Sequence, residues 1–478
     1  MSAPITRLYV LVIAMFAVLV FYTSRWTVFD AKMLRDQPLN RRQLLEQSRI
    51  HRGLIRADDG TVLARSIKQK GGTYTRTYPT GDLFSHAVGY SFTNLGRAGL
   101  EQSRNDPLTG QRNELGSIFD QLRGKARVGD DVFTTLDPKA QRVAFSALQG
   151  QKGAVVALEP KTGKVRVMAS NPQFDANNLP ARFPVLSRQQ GSPLFNRVTQ
   201  AGYPPGSTFK VVTAIVALDS GKYTADSLVN GDTGKVISGV PLSNDGGQSF
   251  GDITLTKALT FSVNTVWAQI GEALGKRTMA KYMTRLGFYA KPPLDYPAGQ
   301  RRASGEYGPG GNLLSPLSGS IDVGRMAIGE DKLAVTPLQM AMVASAVANG
   351  GKLVRPHLTD RIVDKDGRVV TDVGANAKSR VMSSTTANAV AQMMSQVVKE
   401  GTGTAAALSG VEVAGKTGTA ETGVDGINTA WFVCFAPADH PRIAVAVTLE
   451  NQFHKTGGEV AAPIAKTLLE ALLKQATA

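Results

Sequence analysis

The chain has 478 residues, with 54 Lys or Arg against 38 Asp or Glu, a formal net charge of +16. Its 42% apolar and 19% charged residues are an ordinary globular mix, which excludes wholesale disorder, collagen and a polytopic membrane protein. The lone cysteine, Cys434, excludes a disulfide framework within the chain and any multi-thiolate zinc or iron–sulfur centre, and the five histidines, at 51, 86, 357, 440 and 454, show no ligand spacing.

The first element is Leu8–Tyr22, an uninterrupted apolar run between Arg7 and Arg25. A spanning helix needs about 20 residues. Snorkelling of the two arginines and an interfacial Trp26 supply the remainder. No small-x-small cleavage site follows, so the run predicts an uncleaved signal anchor over residues 8–24 behind a short tail, 1–7. Arg25, Lys32, Arg35, Arg41, Arg42, Arg49, Arg52 and Arg56 lie just beyond it, against Asp30, Asp36 and Glu46. By the positive-inside rule alone, that excess would place the body of the chain in the cytoplasm.

Residues 25–150 form an Arg-rich, Gly-punctuated, β-rich region. The stretch 52–66 predicts two short strands around Asp58-Asp59-Gly60, and 129–137 a further strand. Residues 138–149 predict a helix with Pro138 in its first turn and Val143, Phe145, Ala147 and Leu148 toward a core. From 151 to 478 the texture changes. β-Hairpins are predicted at 153–170 and at 430–450, with helical runs at 209–220, 254–275 and 337–351 between them and a last helix at 459–476 despite Pro463. Strands at both ends with helices between them predict one α+β domain whose sheet is closed by both ends of the segment.

Three motifs in this second region carry chemistry. Ser207-Thr208-Phe209-Lys210 follows Pro204-Pro205-Gly206, so Ser207 sits at a helix N-terminus and shares a helical face with Lys210. A serine hydroxyl needs a neighbouring base to become a nucleophile, and lysine can serve only if burial or other cations depress its pKa. The helix dipole favours negative charge developing at Ser207. Ser262-Val263-Asn264 interrupts an apolar helical stretch where packing would prefer no polar group. Lys416-Thr417-Gly418-Thr419 lies in an alternating, strand-like context, where Gly418 permits close approach of another backbone. Alone, each has an ordinary structural use: a helix cap with a solvated lysine, a loop, a turn.

Together and in this order, the three motifs resemble the set of the penicillin-recognising serine acyltransferases. Residues 153–178, 334–358 and 431–437 are similar to segments of the transpeptidase domain of penicillin-binding proteins. Residues 40–64 and 96–101 are similar to the pedestal of class B members, and the compact length is similar to the actinobacterial penicillin-binding protein A group. One departure stands out: relatives usually carry Ile-Gly-Gln-Gly where this chain has Ile328-Gly329-Glu330-Asp331, which puts the shape of that loop in question. The resemblance implies an antiparallel sheet with helices on both sides, a β-rich pedestal or dimerisation-like domain over 25–150, and a transpeptidase domain over 151–478.

It also implies roles. Ser207 attacks the penultimate D-alanine carbonyl of a peptidoglycan stem peptide, and Lys210 takes its proton. Ser262 relays a proton to the departing D-alanine, and Asn264 holds Lys210 and the substrate amide. Lys416 supplies positive charge, and Thr417 and Thr419 offer hydroxyls to the substrate carboxylate beside Gly418. The N–H groups of Ser207 and Thr419 form the oxyanion hole. A second stem peptide's amine then completes the cross-link, while β-lactams acylate Ser207 and stay. Neither cofactor nor metal is expected.

Such chemistry implies an extracytoplasmic body with the tail inside, against the positive-inside count. The implied partners are the lipid-linked precursor, the cytoplasmic membrane, a membrane-embedded glycan polymerase and division proteins, and no nucleic acid. The alternatives are a D,D-carboxypeptidase or β-lactamase-like hydrolase, a division scaffold, or a β-lactam sensor. The water-activating Glu-x-x-Leu-Asn of class A lactamases has no match, since Glu330-Asp331-Lys332-Leu333 ends in Ala334. Half the excess charge, +8 from 21 basic and 13 acidic residues, lies in residues 1–150. Arg41, Arg42, Arg49 and Arg52 are therefore expected to meet anionic lipid.

Overall fold

The computed structural model describes residues 3–30, 41–111, 128–374 and 377–475. Lys32, Arg35 and Asp36 of the juxtamembrane group fall outside that range. A continuous helix, Ala3–Ser24, runs into a π-helical turn, Arg25–Phe29, with none of its residues buried. At 1.5 Å per residue the 22-residue helix is about 33 Å long, enough to cross a hydrocarbon core of about 30 Å.

Five antiparallel strands form the central sheet of the C-terminal region, in the order Ala414–Glu421, Ile427–Ala436, Ile443–Phe453, Gly153–Leu158, Val165–Asn171. The two predicted hairpins thus meet edge to edge, through Val445 opposite Ala157 and Val447 opposite Val155, closing the sheet from both ends of the segment. Side chains alternate across it. Val433 and Phe435 face a layer that contains the helices Lys210–Asp219, Asn264–Leu274, Pro337–Ala348 and Ser384–Lys399. Phe432 and Cys434 face the helices Pro138–Leu148 and Gly457–Gln475. Cover on both faces explains why strands such as Ala430–Ala436 read as continuous apolar runs. Cys434 is part of that packing, and burial pushes its thiol pKa up, so it behaves as a small hydrophobe.

The helix Pro138–Leu148 is capped by Asp137, whose side chain accepts from the N–H groups of Lys139 and Ala140. Its buried apolar stripe is Ala140, Ala144 and Leu148, at i, i+4 and i+8, with Pro138 and Gln141 buried beside it. Only Leu148 of the predicted core face lies there; Val143, Phe145 and Ala147 are half-buried beside it. Three small or slender side chains let this helix approach the sheet and the C-terminal helix closely.

In the N-terminal region a six-stranded mixed sheet runs Val369–Asp372, Thr359–Val363, Asp131–Thr134, Ile55–Arg56, Val62–Lys68, Tyr74–Thr77. Packing crosses the sequence division at residue 150 in both directions. Helix Pro138–Leu148 lies on the five-stranded sheet, and two strands from beyond residue 350 extend the six-stranded one. Arg104 reinforces the joint, reaching Asp295 at 2.6 Å and Thr359 Oγ1 at 2.8 Å. Asp295 also accepts the Leu358 and Thr359 N–H groups.

Arg52 corrects the expectation of a lipid-facing residue. It is 6% exposed, and its guanidinium bonds Glu101, Asn105 and the Glu101 carbonyl inside the N-terminal region. Arg49 is exposed as expected, and the side chains of Arg41 and Arg42 lie outside the described residues.

Candidate active site

Ser207 sits in a single 3-10 turn, Gly206–Phe209, that runs directly into the helix Lys210–Asp219. Pro204 and Pro205 keep helix from starting earlier. Gly206 has φ +50, and a Cβ there would lie 2.6 Å from the Thr419 carbonyl, so glycine is required both by conformation and by the neighbouring strand. Gly418 meets the same turn from the other side: a Cβ would lie 2.8 Å from the Pro205 carbonyl and from Thr208 Cγ2. Missing side chains at 206 and 418 therefore let the serine turn press against the edge strand Ala414–Glu421. The Trp431 indole locks the approach by donating to the Pro204 carbonyl at 3.0 Å.

The predicted helical run 254–275 divides. Helix Leu255–Thr260 ends, Ser262 takes a left-handed φ of +59, and a second helix starts at Asn264. A non-glycine residue in that region is strained, and here the strain turns both the Ser262 carbonyl and its hydroxyl to one cation. Lys210 Nζ donates to Ser262 O at 2.7 Å, Ser262 Oγ at 3.2 Å and Asn264 Oδ1 at 2.5 Å. All three ammonium donors are thereby used. None of these bonds goes to Ser207.

Lys416 approaches the same hydroxyl from the sheet. Its Nζ donates to Ser262 Oγ at 2.9 Å and to the Thr417 carbonyl at 3.0 Å. Ser262 Oγ is thus held between two ammonium groups, both fully buried. Thr417 Oγ1 lies 2.6 Å from Thr402 Oγ1, and Thr419 Oγ1 accepts the Gly457 N–H at 3.3 Å. The eight residues singled out in the sequence, Ser207, Lys210, Ser262, Asn264, Lys416, Thr417, Gly418 and Thr419, are brought together around this junction of helix, loop and strand.

Burial dominates the electrostatics. It pulls Lys210 from its ordinary 10.5 down to about 7, against an upward pull from the charges of Glu330 and Asp245. Lys416 is also lowered well below its ordinary value, first by burial and then by the charge of Lys210. The pair is bonded to neutral oxygens, so near neutral pH Lys210 is poised between proton donor and acceptor.

Several site residues escaped the sequence reading. Thr402 has no local signature, and Gly206 and Gly329, though both stand in stretches singled out above, carry no sequence sign of the backbone contact they make with each other. Gly329 donates nothing to the chemistry, but its carbonyl accepts the Gly206 N–H at 3.0 Å, and a Cβ on it would lie 2.0 Å from the Gly206 carbonyl. Asn244 holds the start of the second helix, accepting from both N–H and Oγ1 of Thr265. The departing segment 328–331 has a defined shape. Asp331 adopts φ +62, a conformation that glycine takes freely and aspartate tolerates, and its carboxylate accepts the Asp322 N–H. Glu330, with its side chain 47% exposed, stands 3.7 Å from Arg325 at the rim of the site.

Residues 153–470 match the description of the penicillin binding protein transpeptidase domain, and residues 52–132 that of the penicillin binding protein A dimerisation domain. Peptidoglycan D,D-transpeptidase PbpA of Mycobacterium tuberculosis is 33% identical, with 99% of each chain aligned. Its counterpart in Mycolicibacterium smegmatis is 31% identical, over 99% of this chain and 100% of that one. Among solved structures, the ceftriaxone acyl-enzyme complex of penicillin-binding protein A from M. tuberculosis superposes with a TM-score of 0.80 at 31% identity, covering 90% of this chain and 100% of that chain. The D,D-transpeptidase domain of a peptidoglycan glycosyltransferase from Eggerthella lenta gives 0.78 at 34% identity, covering 90% and 99%. With the three motifs on one site and both regions matched, the chain belongs to the penicillin-binding transpeptidase family.

Proposed function

We propose that the site built on Ser207 is the acylation centre of a peptidoglycan D,D-transpeptidase that β-lactams also acylate. The observation that carries this reading is the Ser262 hydroxyl held at 3.2 Å and 2.9 Å by Lys210 and Lys416, two lysines 206 positions apart. That arrangement is a proton path with charge control at both ends. Neutral Lys210 takes the Ser207 proton as Oγ attacks the penultimate D-alanine carbonyl of a stem peptide. The N–H groups of Ser207 and Thr419 receive the oxyanion. Ser262 passes a proton to the departing D-alanine amine. Lys416 with Thr417 and Thr419 receives the terminal carboxylate, Gly418 leaves room beside the strand, and Asn264 keeps Lys210 aimed while binding the substrate amide. An amine from a second stem peptide then resolves the ester.

The N-terminal helix supports a single-pass membrane protein. We place the tail inside and residues beyond 25 outside, because cross-linking of wall peptides requires an extracytoplasmic site. We assign residues 8–24 to the anchor, 25–150 to the pedestal and 151–478 to the transpeptidase domain. The lipid-linked precursor, a membrane-embedded glycan polymerase and division proteins are the partners this placement favours.

The test uses the detergent-solubilised full-length protein. After benzylpenicillin, intact mass should rise by one adduct that peptide mapping places on Ser207, that Ser207→Ala abolishes, and that persists for many minutes. Incubation with a pentapeptide donor and an amine-bearing acceptor should then give a cross-linked product. Turnover of penicillin within seconds, or tetrapeptide alone in the presence of acceptor, would instead identify a hydrolase. Full complementation by Ser207→Ala in cells would leave only a scaffold or sensor.

A further inference from the structure

One cavity of the N-terminal region is lined by three arginines and by no carboxylate. Arg52, Arg76 and Arg97 cluster around one buried carboxylate, Glu101, which gives three charges against one, or +2. Arg52 and Arg76 share Glu101 at 2.8 Å and 2.5 Å. Arg97 has only neutral partners, Ser91 Oγ and Gln47 Oε1, and among the described residues it forms no ion pair. Asp106 is exposed and pairs with none of the three arginines. Among the described residues two buried donors have no partner: Arg76 Nη2, on a side chain 2% exposed, and Gln47 Nε2, on a residue 5% exposed. The Gln47 amide cannot turn over to use its N–H₂ elsewhere, because its oxygen is held by the Arg97 guanidinium. Arg76, Gln47, Arg52, Arg97, Ser66 and Ser91 line one cavity of about 100 Å³.

A water molecule could satisfy the two donors but not the surplus charge. A dianion satisfies both, and the planar guanidinium fork matches its oxygens. A phosphate monoester or inorganic phosphate carries about −1.5 to −2 at neutral pH, close to the surplus. We propose that this cavity is a binding site for a dianionic oxyanion of the phosphate class, held by Arg97, Arg76 and the Gln47 amide. Arg52, committed to Glu101 and Asn105, acts as support. The cavity also involves Leu44 and Ile50, in the first described stretch beyond the membrane helix, so the phosphate can come from free solution or from a lipid headgroup.

The thermal midpoint of the full-length protein in phosphatidylcholine nanodiscs distinguishes these sources. Inorganic phosphate is titrated against sodium chloride of equal ionic strength. A parallel sample in phosphatidate-containing discs receives no phosphate. Selective, saturable stabilisation is expected in at least one arm. Stabilisation by inorganic phosphate identifies the free ion, and stabilisation by phosphatidate alone identifies the headgroup. Arg97→Gln should weaken the response at least tenfold, whereas Arg49→Gln, at an exposed position, should not. Gln47→Glu supplies a carboxylate in place and should raise the midpoint without ligand while abolishing the response. All three variants should keep penicillin acylation of Ser207. Equal midpoints in phosphate and chloride with no phosphatidate effect, or a response unchanged in Gln47→Glu and Arg97→Gln, would overturn the assignment.

Discussion

Two clusters of buried cations sit at opposite ends of this chain's logic. In the active site, Lys210 and Lys416 are wrapped in neutral oxygens from Ser262, Asn264 and Thr417, and burial drives both toward the uncharged form. In the N-terminal region, Arg52 and Arg76 grip Glu101. Burial pushes that carboxyl up, but the charges of Arg76 and Arg52 outweigh it and hold Glu101 below its ordinary value. Lysine can give up its proton within the physiological range, whereas guanidinium does not. The choice of cation therefore fits the proton transfer proposed for one site and a fixed charge at the other.

The strongest way to break this contrast is to put arginine where the proton must leave. Lys210→Arg keeps the charge and the donors but cannot become a base. Acylation of Ser207 by a fluorescent penicillin should fall by roughly 10²–10⁴-fold, the usual share of general-base catalysis, with the thermal midpoint little lower. A variant acylating at the parent rate would show that Lys210 only holds Ser262. In the N-terminal region the reciprocal change removes the anion. Glu101→Gln leaves two guanidinium groups buried without a counter-charge and should cost about 3–5 kcal/mol of stability, read by chemical denaturation of the N-terminal region. Acylation per folded molecule should be unchanged. Its pH signature follows from the depressed carboxyl. Glu101 contributes stability above the ordinary carboxylate pKa, and the contribution is lost as pH falls through the lower folded value. The parent should therefore lose more stability than Glu101→Gln on acidification.

The two clusters differ equally in how legible they were. Sequence order and spacing were enough to bring Ser207, Lys210, Ser262, Asn264 and Lys416 to attention, because each belongs to a short motif with its own chemistry. The sheet closed from both ends was also readable, since continuous apolar, β-rich runs on either side of the turns Pro160–Gly163 and Ala438–Pro441 mark hairpins. The break at Ser262 was not. An apolar periodicity running from 255 to 274 looks continuous when one residue in the left-handed region redirects it. The Arg52–Glu101–Arg76 cluster was invisible for another reason. Its members are spread over 50 positions, and charged residues are ordinarily exposed, so Arg52 read as surface charge until tertiary packing enclosed it. Gly206 and Gly329 show the same limit: the close approach of the serine turn to the 328–331 loop is written in two distant segments at once and in neither alone.

The proton inventory of the active site sharpens the contrast further. With Lys210 lowered to about 7, penicillin acylation should rise about tenfold per pH unit below that value and level off above it. The linkage sign is fixed by the same shift. Between about 7 and 10.5 the unfolded chain binds a proton at Lys210 that the folded chain does not, so stability from this group rises with pH across that window and is lowest below it. Lys210→Met should flatten that rise. An acid limb unchanged in position in Lys416→Arg would assign it to Lys210 rather than to the coupled pair.

The smallest effect tests the departure at residue 330. Glu330 raises Lys210 through its charge, while its own carboxyl is pushed up by its surroundings and pulled down by Lys210 and Arg325. Its side chain is 47% exposed, so solvent screens this coupling. Glu330→Gln removes the upward pull on Lys210. The acid limb of acylation should move to lower pH, with less than about a tenfold rate change at any single pH and no change in the plateau. Raising the salt concentration should shrink the difference between parent and variant. A lowered plateau would instead mean that the loop had moved Gly329 off Gly206, and with it Ser207; Gly329→Ala would reproduce that loss, since its Cβ would lie 2.0 Å from the Gly206 carbonyl. The two variants together separate the charge of this loop from its shape.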